Sequence, residues 1–259
     1  MEAPRDVREL ALACSKQMAA TQYFSHTTAA QLLGMRLPSG FRENTLHVTS
    51  LVPMRAPRVS GVVGHQTSTP MGLWSVGGLQ VSSPAETWAR LGGSLSLDEL
   101  IVMGDGLVCR SRPQSTIDEL FELTRRRGLL GVRRLRRALD EVRTRTDSAR
   151  ETELRLLITR AGFPEPEING AVFNRYGALV GHGDLVFRRY RTIAEYDGGQ
   201  HRSDDRQFSI DIRRLDDLME EKWRVIRVDK HMLRMRASVL GKVENALRDN
   251  GWDGVRTPA

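Results

Sequence analysis

Gly183-Asp184-Leu185-Val186-Phe187, followed by Arg191-Thr192-Ile193-Ala194-Glu195-Tyr196-Asp197-Gly198-Gly199-Gln200-His201, decides how this chain is read. The apolar runs on either side of Arg188 to Arg191 predict two strands joined by a turn, paired near Phe187 and Ile193. Strand residues two apart share a face, so Glu195 and Asp197 point the same way, one on each side of Tyr196. Asp184 joins them once the hairpin closes. Three carboxylates on one face repel one another and lose hydration. A divalent cation relieves that cost, and all-oxygen ligation selects Mg²⁺, Mn²⁺ or Ca²⁺ rather than Zn²⁺.

Around the hairpin the elements follow in a definite order. A helix from Ser148 to about Ala161 carries Glu151, with Leu154, Leu157 and Ile158 on its apolar side. Pro164 to Phe173 is predicted as a first strand, Asn174-Arg175-Tyr176-Gly177 as a turn and Ala178 to Phe187 as a second strand. Arg191 to Asp197 is the third strand. A helix from Ser203 to Glu221 then crosses to a strand at Trp223 to Val228, which makes the last strand pair parallel. A helix from Ala237 to Arg248 closes the domain. On the crossing helix Asp211 lies on the same face as Phe208, Leu215 and Leu218. An ion pair with Arg214 that fixes the helix on the sheet is the preferred account of Asp211; the other is that it steers His201.

This order of elements resembles the domain-of-unknown-function 559 family, related to the very-short-patch-repair endonucleases and to the wider PD-(D/E)XK nuclease-like fold. The resemblance implies a restriction-endonuclease-like α-β-β-β-α-β core with a mixed sheet over residues 147–250, leaving 251–259 as a tail. It implies a Mg²⁺ (or Mn²⁺) dependent endonuclease that hydrolyses DNA phosphodiesters. Asp184 and Glu195 would hold the metal with the Tyr196 carbonyl, and Glu151 would contact the metal or its waters. The wider fold carries Lys two residues after the second acid, where this chain has Asp197. The general base therefore falls to His201, with Gln200 orienting water or phosphate and Arg202 contacting DNA.

Residues 1–146 predict a separate α+β domain. Residues 3 to 20 and Phe24 to Gly34 have helical patterning, open to a helix-turn-helix reading but short of long polar side chains for base edges, so a small packing unit is preferred. Thr45 to Ser50, Val59 to Gln66 and Gly72 to Val81 predict strands. Ser83-Pro84-Ala85-Glu86 and Ser96-Leu97-Asp98-Glu99 are helix starts, each with a serine cap and an acid three residues on. Phe24-Ser25-His26, Leu46-His47-Val48-Thr49 and Val81 to Trp88 give this half a weaker resemblance to AbiEi-type antitoxins, which are transcriptional repressors. His26, His47 and His65 are scattered along it and are read as packing or surface histidines. Residues 114 to 145 are helical and basic: Val132, Leu135, Leu139 and Val142 form a core stripe. Arg133, Arg134, Arg136 and Arg137 cover much of the remainder. That face either contacts DNA phosphates or is solvated and paired with Asp140 and Glu141.

The 259 residues carry a formal net charge of +7, which favours a polyanionic partner, most simply DNA. Cys14 and Cys109 have no metal-like spacing and read as reduced thiols of a cytoplasmic protein. No run approaches the ~18 apolar residues of a membrane span. The chain has no phosphate-binding glycine loop, nucleophile elbow or His-Glu-x-x-His, so NTPase, serine hydrolase and zinc protease readings fall away. A metal-dependent nuclease is the first expectation. A non-catalytic DNA-binding regulator of antitoxin type, retaining the nuclease fold, is the alternative. A homodimer or a defence-system partner protein is compatible with both.

Overall fold

The computed structural model describes residues 6–38, 45–70, 72–198 and 205–257, with side chains from 212 onward in the helix that begins at 205. The chain divides into two compact units, Met1–Thr144 and Arg145–Ala259. Both are mixed α+β, and each is built on its own mixed sheet.

The first unit runs α1 (Val7–Ser15), β1 (Gln22–Phe24), α2 (His26–Leu32), β2 (Leu46–Leu51), β3 (Val62–Thr67), β4 (Leu73–Val76), β5 (Leu79–Ser82), α3 (Pro84–Arg90), α4 (Leu97–Leu107), α5 (Ile117–Thr124) and α6 (Val132–Glu141). Its sheet has the order β3-β2-β1-β5-β4, with β2–β3 and β1–β5 parallel. Strand β1 stands between the first two helices, which therefore do not form a helix-turn-helix. Phe24, Leu46, Val48, Leu79 and Val81 pack with Ala11 and Ala29 into the core of this layer. The serine-led helix starts fold as their spacing dictates. Ser83 Oγ accepts from Glu86 N at 3.2 Å, and Ser96 and Glu99 close a reciprocal capping box. Trp88, fully buried, donates its indole N–H to the Leu100 carbonyl at 2.9 Å and locks α3 to α4.

The basic segment is two helices broken at Gly128 to Gly131, and Gly131 (φ +72°) takes the left-handed turn that starts α6. Leu135, Ala138 and Val142 are its buried stripe. Two of its arginines are engaged within the unit. Arg134 donates to the Gly92 and Leu95 carbonyls at 3.2 and 2.6 Å, and Arg136 donates to the Thr124 carbonyl at 3.1 Å. Arg133 and Arg137 are exposed.

The second unit runs α7 (Ala149–Arg160), β6 (Glu167–Phe173), β7 (Leu179–Phe187), β8 (Thr192–Tyr196), α8 (Asp205–Glu220), β9 (Arg224–Val228), α9 (Lys230–Arg234) and α10 (Arg236–Asp249). The sheet order is β6-β7-β8-β9, antiparallel except for the parallel β8–β9 pair across the α8 connection. One face of the sheet packs Leu185, Phe187, Ala194, Ile226 and Val228 against Leu154 and Ile158 of α7 and Val239, Val243 and Leu247 of α10. The other packs Val172, Val186 and Ile193 against Leu218 of α8. The segment expected as a tail is part of this fold. Trp252 is 5% exposed and packs on Phe163 with ring centroids 5.2 Å apart. Thr257 N donates to the Gly162 carbonyl at 2.9 Å. A large aromatic just past the end of α10 gains more by burial than by staying in water.

Among the described residues no helix is long and apolar enough to cross a membrane.

Candidate functional site: a forked sheet edge lined with acids

Strands β7 and β8 pair only through Phe187↔Thr192, Val186↔Ile193 and Leu185↔Ala194. Beyond that point β7 continues beside β6, down to Phe173↔Leu179, while β8 continues beside β9 to Tyr196↔Val228. The sheet forks where Asp184 and Glu195 would be the next partners. Two connections span the fork. Asp184 Oδ2 accepts from Tyr196 N at 2.8 Å, so a side chain takes a backbone donor that the ladder leaves behind. Arg214, reaching in from α8, donates to the His182 carbonyl at 2.6 Å on one prong and to both carboxylate oxygens of Glu195 on the other. A Cβ at Gly181 would sit 2.8 Å from Arg214 Nε, so the glycine clears the path of the guanidinium.

The cleft beside the fork, about 430 Å³ in volume, is lined by Ser148, Arg150, Glu151, Glu195, Asp197 and Arg227 among others. Asp197 pairs with Arg227 at 3.1 Å, across the Glu195↔Arg227 register of β8 and β9. Glu151 stands at the start of α7. Its N–H binds Ser148 Oγ at 3.2 Å, and its carboxylate accepts from Asp147 N at 2.8 Å. It therefore caps its helix and also bears on Asp184. Burial pushes the Asp184 carboxyl up to about 7, and the negative charges of Glu151 and Glu195 push the same way, against the Tyr196 N–H and Arg214.

The sequence reading is corrected here in one respect. The carboxylates are not gathered as a bare trio, because Arg214 and Arg227 neutralise Glu195 and Asp197. Among the described residues the set of three potential ligands within 4.8 Å of one another is histidine, not carboxylate. Arg214 has in Glu195 a partner that the sequence reading did not include. The fork puts a partly buried carboxylate within its reach, and sequence spacing on one helix does not reveal a partner on a strand. The Asp211 side chain lies outside the described residues, as do Gln200, His201 and Arg202. Arg150 and Arg227 were missed; an arginine in β9 directly opposite Glu195 was the available signal.

Two measurements follow from this geometry. Asp184 holds its proton more tightly in the native unit than in the unfolded chain, whose ordinary value is 3.8. Its stabilising contribution is complete below that value, declines as pH rises, and is gone above about 7. Asp184→Asn keeps an oxygen acceptor for Tyr196 N and removes the charge. In metal-free buffer the variant should match wild type near pH 4 and exceed it by on the order of 2 kcal/mol at pH 8. Denaturation curves that stay superposed at every pH would reject the strained carboxyl. Arg214→Met removes the clamp from a pair whose side chains are 21% and 13% exposed, leaving Glu195 without its counter-charge. A loss of roughly 2–3 kcal/mol in urea denaturation is expected, and a loss below about 0.5 kcal/mol would place the pair among ordinary surface contacts.

Comparison with family models, with curated proteins and with solved structures finds no match for this chain.

Proposed function

We propose that the Arg145–Ala259 unit is a divalent-metal-dependent phosphodiesterase acting on DNA. The observation that carries the reading is the fork: Asp184 and Glu195 stand on its two prongs where the sheet opens, and burial and neighbouring negative charge push the Asp184 carboxyl up to about 7. A carboxyl in that condition takes up either a proton or a cation. The donor set is all oxygen, which fits Mg²⁺ or Mn²⁺. Arg214 does not exhaust Glu195, because an ionised carboxylate has about four lone-pair directions and the guanidinium uses two of them. The residues therefore fit such an ion, held by Asp184 and Glu195 with Glu151 on its waters and the Tyr196 carbonyl available. A cation there supplies Lewis acidity to a phosphoryl oxygen and acidifies a water.

The chain's own groups provide the remaining chemistry. Arg150 and Arg227 line the same cleft and favour a phosphate at its mouth. Asp197 holds Arg227 in place by their ion pair, a positioning role at the place where the wider fold carries lysine and the closer family Asp-Gly. The net charge of +7 over the whole chain supports a polyanionic partner. His201 and Gln200 remain the proposed base and water-orienting residue.

A second reading rests on Arg214 itself. A guanidinium already seated on Glu195 suits a scaffold that binds DNA without cutting it, as in a regulator of antitoxin type.

The deciding experiment incubates the purified chain with plasmid, linear and mismatch-bearing DNA in Mg²⁺, Mn²⁺ or EDTA. Products that need the metal are the expected outcome. DNA shifted equally with and without metal, and never cut, would overturn the nuclease and favour the regulator.

A further inference from the structure

The first unit brings together three imidazoles that the sequence keeps apart. His47 on β2 and His65 on β3 belong to a parallel pair in which Thr49, not His47, is opposite His65. The two histidines are thus diagonal neighbours on one face of the sheet. His26 opens α2 directly after its cap residue Ser25 and stacks on His65, with centroids 3.8 Å apart. The rings of His47 and His65 lie 5.1 Å apart, and His47 Nδ1 faces His65 Nε2 at 2.9 Å. One ligand nitrogen from each of the three lies within 4.8 Å of the others, and all three residues are half-buried.

The surroundings hold these rings in position. Thr49 Oγ1 donates to Ser25 Oγ at 2.7 Å, and Ser25 Oγ meets His26 Nδ1 at 2.9 Å. That contact occupies one nitrogen of His26 and leaves Nε2 to face a ligand, the usual arrangement of a metal-binding histidine and its outer partner. His47 N donates to Thr28 Oγ1 at 2.8 Å and ties β2 to α2. His26 has a left-handed backbone (φ +49°), a conformation disfavoured for a side chain with a Cβ. Such strain is stored where the surrounding structure enforces it, most often at ligand sites. Arg90 places a positive charge near the cluster. Its charge is met by Glu86, buried and bonded to it at 3.1 Å.

We infer that His26, His47 and His65 form a transition-metal site for one borderline divalent ion, Zn²⁺ or a close analogue, separate from the carboxylate fork. Three imidazoles without a carboxylate select this class over Mg²⁺ or Ca²⁺. Zn–N bonds of about 2.0–2.1 Å at a tetrahedral angle put two ligand nitrogens about 3.3 Å apart, and the His47–His65 contact at 2.9 Å needs only a small opening to reach it. An ion lies in the plane of each ring that binds it, so loading tilts the stacked rings of His26 and His65 apart. Three protein ligands leave a coordination position for water or another donor. The bound ion would cross-link the start of α2 to the β2–β3 pair.

The test uses tag-free, chelator-stripped full chain titrated with Co²⁺ alone. One Co²⁺ per chain is expected, with the intense visible absorption of a low-coordinate nitrogen site, displaced by Zn²⁺ and not by excess Mg²⁺. His65→Gln and His47→Ala should each weaken Co²⁺ binding at least about tenfold. If His47→Ala does not fold, His65→Gln and His26→Asn carry the test. Absence of saturable binding, displacement by Mg²⁺, or affinity unchanged in His65→Gln would overturn the site.

Discussion

Glu195→Ala is expected to lower Mg²⁺-dependent DNA cleavage by the purified chain at least about a hundredfold, while DNA affinity holds or rises. The loss follows from removing one of the two carboxylates on the prongs of the fork. The affinity follows from the loss of a negative charge from a cleft that Arg150 and Arg227 also line. Removing Glu195 also costs the unit its clamp, so loss of activity and loss of fold must be told apart. Glu195→Gln helps to do this, because its one amide oxygen still accepts from Arg214 while the charge a cation needs is gone. Equal loss of cleavage in both variants, with a smaller loss of stability in Glu195→Gln than in Glu195→Ala, is the predicted pattern. Asp184→Ala should lose cleavage as Glu195→Ala does. Cleavage persisting in either alanine variant would remove these acids from the reaction.

Trp252→Ala should destabilise the Arg145–Ala259 unit by about 3–5 kcal/mol, the usual cost of truncating a buried indole. The ring belongs to the same cluster as Leu154, Phe187 and Val243, and Arg248 stacks on it 5.7 Å from its centroid. The loss is read from urea denaturation of the full chain, with hydrogen exchange locating it in the amides of β7 and β8. A loss below 1 kcal/mol would return residues 251–257 to the status of a tail. The consequence reaches the fork, because Leu185 and Ala194, the last paired residues of the hairpin, belong to that cluster. Removing a ring from this layer is expected to loosen the base of the site without touching an acid.

The helix starts at Ser83, Ser96 and Ser148, the hairpin between Phe187 and Thr192, and the parallel return of β9 were legible in the sequence. Each is encoded locally, by a cap, a turn or a period, and needs no distant partner. The element order and the mixed α+β class follow from those signals. The acids of the hairpin were legible for the same reason, since alternation alone places Glu195 and Asp197 on one face. Their counter-ions were not. Arg214 and Arg227 reach them from α8 and β9, and which arginine meets which acid depends on where the β7–β8 ladder stops. The histidines show the same limit more sharply. His26, His47 and His65 have no ligand-like spacing along the chain, and only the parallel β2–β3 register and the placement of α2 bring their nitrogens together. Trp252 looked like part of a polar tail until α10 delivered it to Phe163. Sequence alone set the local backbone and the chemical inventory, because those depend on neighbours a few residues apart. Tertiary structure alone decided the pairings of charges, imidazoles and aromatic rings, because those depend on contacts between residues distant in the chain.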